Sequence, residues 1–76
     1  MNENEQLVKE LEHELRTLQD ELAILNKFFN QKGIDGNKYR DAMAQKNEVE
    51  KMIKEVELDI EITKKEIENE KNEPNE

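Results

Sequence analysis

From Val8 to Phe29 the apolar residues fall at Val8, Leu11, Leu15, Leu18, Leu22, Leu25 and Phe29, in steps that alternate three and four without a break. Steps averaging 3.5 residues keep one stripe of an α-helix turned toward a neighbour, and the period-two pattern of a strand cannot produce them. A second track with the same alternation runs through Tyr39, Ala42, Lys46, Val49, Ile53, Val56, Ile60, Thr63 and Ile67, weakened by polar Lys46 and Thr63. With Val8 taken as heptad position a and Leu11 as d, both segments read as helices of a coiled-coil seam. Glu residues set four positions before a basic residue, Glu5 with Lys9, Glu12 with Arg16, Glu50 with Lys54 and Glu61 with Lys65, favour the same conformation by about 0.2 to 0.5 kcal/mol each.

The chain's two glycines, Gly33 and Gly36, lie between the tracks in "NQKGIDGNKYRD", residues 30–41. Gly33 is suited to the left-handed residue just past the end of a helix, with Ile34 as its apolar contact. Asp35 can accept from the free amides that open the next helix, Ile34 can staple onto Tyr39, and Gly36 then takes the first helical position. A connection this short joins antiparallel neighbours. The expected fold is all-α, an antiparallel coiled-coil-like helical hairpin over 1–71, with helix 1 over 3–32, the turn at 33–35, helix 2 over 36–71 and a disordered acidic tail at 72–76. Asn2 with Glu5 reads as a capping box for helix 1. A fold-back centred near residue 34 sets Phe29 beside Tyr39, Leu15 beside Ile53 and Val8 beside Ile60. It puts Lys46 opposite Leu22 with Glu21 near, where the lysine is expected to snorkel or pair.

A chain of 76 residues, 33% hydrophobic and 42% charged, cannot enclose a large core by itself. Small scaffolds compensate with disulfides, a structural metal or association. Cysteine is absent and His13 is the one histidine, so association is the expected supplement. Apolar residues outside the seam point the same way. Ile24, Phe28 and Met43 group near the turn, Leu7, Leu58 and Ile62 near the termini, with Met52 between them. Two hairpins packed antiparallel about a twofold axis would bring one group onto the other, giving a homodimer in the form of a dimeric four-helix bundle.

Chemistry has little foothold. Serine and cysteine are both lacking, and the sequence places no histidine to activate Thr17 or Thr63, so nucleophilic catalysis has no candidate. His13 falls at the outermost heptad position among Glu10, Glu12 and Glu14 and reads as a solvated surface residue. "DGNKYRDAMAQKNE" lacks oxygen ligands where a calcium loop needs them, and its glycine sits at the wrong place. No metal, cofactor or catalytic site is expected, and the chain does not read as an enzyme. Tyr39, by its seam position, reads as a staple, and the Lys51, Lys54, Lys64 and Lys65 group as a mixed-charge face. No window is apolar enough to span a membrane, and "MNENEQLVKE" is not a secretory signal, so the expected location is the cytoplasm.

The heptads and turn resemble those of small bacterial helical hairpins that dimerise into four-helix bundles, the plasmid-encoded Rop type, and the coiled-coil arms of prefoldins. The basic and aromatic RNA-binding face of the first and the strands of the second are not evident here. The expected function is a non-enzymatic coiled-coil module, an adaptor, regulator or scaffold, that self-associates and binds a protein partner. The alternative is an acidic inhibitor that mimics nucleic acid. A net charge of −8 along a rod of about 50 Å is about one charge per 6 Å, and per 3 Å in a dimer, against about 1.7 Å in duplex DNA. A third reading is a regulatory or scaffolding subunit that folds only on its target.

Overall fold

A computed structural model of the chain describes residues 3–72. It contains two helices, α1 over Glu3–Phe29 and α2 over Gly36–Asn72, and no strand among the described residues. Acidic Glu3 and Glu5 in the first turn of α1 and Lys27 in its last complement the helix dipole. The two helices fold back on each other as a hairpin. At its open end the Asn4 side-chain amide donates to the Glu70 carboxylate at 3.0 Å, and at its closed end the Phe29 and Tyr39 rings meet edge to face at 5.2 Å. The rod measures 67 × 17 × 14 Å, two helices wide and one deep, so each helix buries one stripe only.

That stripe is the heptad track. Val8, Leu18 and Leu25 of α1 and Ala42, Val49, Val56, Ile60 and Thr63 of α2 are buried. Leu11, Leu15, Leu22, Phe29, Ile53 and Ile67 are half-buried along the same line. No large side chain among the described residues is fully enclosed, because each has solvent on the flank that a third layer would cover. Thr63 sits in the seam without an orphaned polar atom: its hydroxyl donates to the Asp59 carbonyl one turn earlier at 2.7 Å. Tyr39 is the exception. At 46% exposure it meets Phe29 at the end of the seam and leaves much of its surface in water.

The connection is longer than the sequence suggests. Helix α1 stops at Phe29, three residues before the expected end, and the chain turns through residues 30–35. The Asn30 and Gln31 amides donate to the Lys27 and Phe28 carbonyls at 3.2 and 3.1 Å, tightening the helix before it ends. Past Phe29 no seam residue holds another turn, and Asn30 is a poor helix former. Gly33 does adopt the left-handed region, at φ 74°, but in the reversal itself rather than directly after the last helical residue. Asp35 caps α2: its Oδ1 accepts from the Asn37 amide at 2.8 Å, while its carbonyl accepts the first helical bond from Tyr39 at 2.9 Å. Ile34 before it is half-buried. The Asn2 cap and tail residues 73–76 lie outside the described residues, and Asn72, assigned to the tail on sequence grounds, is the last residue of α2.

Side chains on an α-helix lean toward its N-terminus, and in an antiparallel pair the two leans are opposed. Long side chains therefore meet partners displaced from the residue directly across. Lys46, expected near Glu21, instead lays its ammonium 5.5 Å from the centre of the Phe29 ring, a cation–π contact that covers the seam's polar gap. Glu12 reaches across to Lys64 at 3.9 Å rather than along its own helix to Arg16. Glu61 and Lys65 do pair along α2, at 3.4 Å.

Candidate interaction surface

With Val8 and Tyr39 both at position a, each helix turns a and d inward, c and g to one flank, b and e to the other, and f outward. Antiparallel pairing brings like flanks together. On one side Glu12 and Lys64, both at e, bridge the helices. On the other, Glu21, Ile24 and Phe28 of α1 face Lys38, Asp41 and Gln45 of α2 across a groove of about 510 Å³ whose floor is Leu25 and Ala42. Every wall residue of that groove is at c or g.

The apolar residues outside the seam divide unequally between the flanks. Leu7, Ile24 and Phe28 of α1 and Met52 and Ile62 of α2 lie at c or g, and Leu58, at f, stands one turn before Ile62. Of the exposed large apolar residues, Met43 alone is on the b/e flank, at e. Ile24 is 68% exposed, Leu58 56% and Ile62 46%, with Leu7, Met43 and Met52 also exposed. By the register that sets Phe29 against Tyr39, Leu7 and Ile62 share a level near the termini, Met52 lies midway, and Ile24 and Phe28 stand at the turn. The c/g flank thus carries an apolar line along its length.

Two sequence expectations change here. Phe28 is not a free off-seam residue: it is half-buried against the core and stacks edge to face on Phe29 at 5.8 Å, so it belongs partly to the hairpin itself. Met43 does not join Ile24 and Phe28, because it points away from the groove they line. Among the described residues, no group of three or more His, Cys, Asp and Glu is placed to hold a metal ion, and no helix is long and apolar enough to cross a membrane.

Charge divides the same way. Glu3, Glu10, Glu14 and Glu21 of α1 and Asp41, Glu48, Glu55, Asp59 and Glu66 of α2 occupy c and g, against one basic residue there, Lys38. Nine acids less one lysine leave −8 on this flank, equal to the formal net charge of the whole chain. The b/e flank cancels: Glu5, Glu12, Glu50, Glu57, Glu61 and Glu68 face Lys9, Arg16, Arg40, Lys54, Lys64 and Lys71. Sorting the off-seam residues by their distance from the turn hides this segregation. Sorting them by heptad position exposes it, once the flanks that share a side are known. Comparison of the chain with protein-family models, with curated proteins and with solved structures found no match.

Proposed function

We propose that this hairpin is a non-enzymatic interaction module that works by burying its c/g flank against another polypeptide, either a second copy, as a dimeric four-helix bundle, or a different protein. The observation that carries this reading is the exposure of Ile24, Leu58 and Ile62 on a rod with no third layer. Isolated surface apolar residues are ordinary, but a line of them beside an open apolar groove marks an interaction site. Full burial of such a side chain is worth about 1.5 to 3 kcal/mol, and these, already partly covered, have roughly half of that left to gain, so a partner must cover several of them together.

Sedimentation equilibrium over a wide concentration range, on the wild type and on Ile24→Ser with Leu58→Ser, tests it. Helical association that the double variant abolishes supports self-assembly through this flank. A wild type that stays monomeric refutes self-assembly and leaves a different protein as the occupant. If, in addition, a photo-crosslinker placed at Ile24 captures nothing in cells, the interaction reading fails as a whole. Serine at Ile24 and Leu58 is preferable to any change at Phe28, whose loss would also loosen the hairpin.

One observation favours the second reading, an acidic surrogate for nucleic acid: the negative charge is gathered on one flank instead of spread over the rod. Nine acids along α2's length of about 55 Å, about one per 6 Å, remain sparse beside duplex DNA. Ile24, Met52 and Ile62 among those acids fit a protein contact better than a phosphate imitation. Displacement of DNA from a DNA-binding protein by the hairpin, unaffected by serine at Ile24 and Ile62, would favour the surrogate.

A further inference from the structure

We infer that the occupant of the c/g flank is a cationic amphipathic helix of another protein, laid along the groove between α1 and α2 with its apolar stripe on Ile24, Met52 and Ile62 and its Lys and Arg residues over the flanking acids. This rests on the interaction reading above and decides between its two occupants.

The shape calls for a helix. Both elements of the hairpin are α-helices whose backbone groups bond internally, so the described residues offer no sheet edge to which a partner strand could add. What is offered is the furrow between two helices lying side by side, with the groove walled by Ile24, Phe28 and Asp41 at its turn end. A third helix fills such a furrow by setting one apolar residue per turn or two between the walls. From Leu7 to Ile24 is seventeen positions, about 26 Å, so a partner helix of about 17 residues spans the line from end to end.

The charge names the occupant's chemistry. The acids border the apolar line on both sides along its whole length, Glu10 and Glu14 on α1 and Glu55 and Asp59 on α2 around its lower part, Glu21 and Asp41 around the groove. A second copy docked flank to flank would meet the same acids with Lys38 as its one flank cation. Turning that copy end for end brings no relief, because both halves of the flank are acidic. Nucleic acid and anionic lipid carry the wrong sign, and a neutral apolar helix would bury carboxylates without partners. A helix with basic residues on both sides of its apolar stripe pairs with these carboxylates and leaves the neutral b/e flank in water.

The test is fluorescence anisotropy with labelled helical peptides of about 18 residues. One has Leu at the seam positions and Lys elsewhere, the second has those Leu replaced by Ser, and the third has Lys replaced by Glu. The Leu/Lys peptide is expected to bind at least about tenfold more tightly than the Ser peptide, about 1.4 kcal/mol, with the Glu peptide not binding. Binding should weaken as salt rises. Ile24→Ser with Ile62→Ser in the hairpin should weaken binding about tenfold or more, and Met43→Ser, on the other flank, should leave it unchanged, with circular dichroism reporting intact helix in each variant. Equal binding of the Leu/Lys and Ser peptides would reduce the effect to charge attraction and overturn the proposal. A loss from Met43→Ser as large as that from the double variant would overturn it as well. Sedimentation of the unliganded chain separates the two readings. Self-association abolished by Ile24→Ser with Ile62→Ser gives the flank to a second copy, overturning the cationic helix while keeping the interaction module. Neither peptide binding nor association overturns both.

Discussion

Replacing each of the two glycines by alanine should move stability in different directions, although they lie only three residues apart. Gly33 stands at φ 74°, where an L-side chain crowds its own backbone at a cost of about 1 to 2 kcal/mol. Gly36 begins α2 with an ordinary negative φ, and a methyl group added there meets nothing within 4 Å. Alanine at either site restricts the unfolded chain equally, a gain of about 0.4 to 1 kcal/mol. That shared gain cancels between the two variants, so their difference isolates the left-handed strain. Gly36→Ala should therefore melt above the wild type by about 2 to 8 °C, and Gly33→Ala below Gly36→Ala by about 4 to 16 °C. Thermal circular dichroism at matched protein concentration measures both, the matching being needed wherever association contributes. D-alanine at position 33, introduced by chemical synthesis, is free of the strain and should raise the melting temperature. A Gly33→Ala protein as stable as Gly36→Ala would refute the left-handed reversal at residue 33.

Two further outcomes follow from the fold. Asp35→Ala removes the side chain that accepts from the Asn37 amide and should cost about 1 kcal/mol by urea denaturation, with Asp35→Asn retaining most of the cap; equal losses would show that the carboxylate charge, not the hydrogen bond, holds the helix start. Leu18→Ala opens a cavity in the middle of the seam and should cost about 3 kcal/mol, whereas Ile24→Ala, at a side chain 68% exposed, should change stability by less than about 0.5 kcal/mol. Comparable losses at the two sites would mean that the flank is already covered in the free protein.

The seam was legible, with Tyr39 as its exposed exception. Val8, Leu18, Leu25, Ala42, Val49, Val56, Ile60 and Thr63, placed on the seam by spacing alone, are buried in the hairpin, because a helix surface repeats every 3.6 residues whatever it packs against. The cap was legible too, since Asp35 acts within two residues of itself. The end of α1 was not. Whether Asn30, Gln31 and Lys32 continue the helix depends on whether α2 offers them anything to pack on, and propensity alone does not say. Phe28 was legible only in part: its heptad position puts it on the flank, where it lines the groove, but its ring also packs onto Phe29 and the core. Lys46 found its partner about two turns from where residue counting put it, and Glu12 paired across the hairpin with Lys64 instead of along its own helix with Arg16, effects that appear only with the helices side by side.

The amino-acid sequence by itself determined what is periodic and local: two helices, the stripe each would bury, the reversal between them and the cap that starts the second. These depend on bonds and spacings within a few residues. Tertiary structure decided which surfaces share a side. Along the sequence, Glu21 and Asp41 are twenty residues apart and belong to different helices, but the hairpin makes them two walls of one groove. Only after that pairing does the chain's excess of negative charge separate onto one flank, together with Ile24, Met52 and Ile62, while the other flank balances to zero. The segregation is a property of the pair of helices, since it depends on the rotation of each about its axis relative to the other, and packing the two seams together fixes both rotations at once.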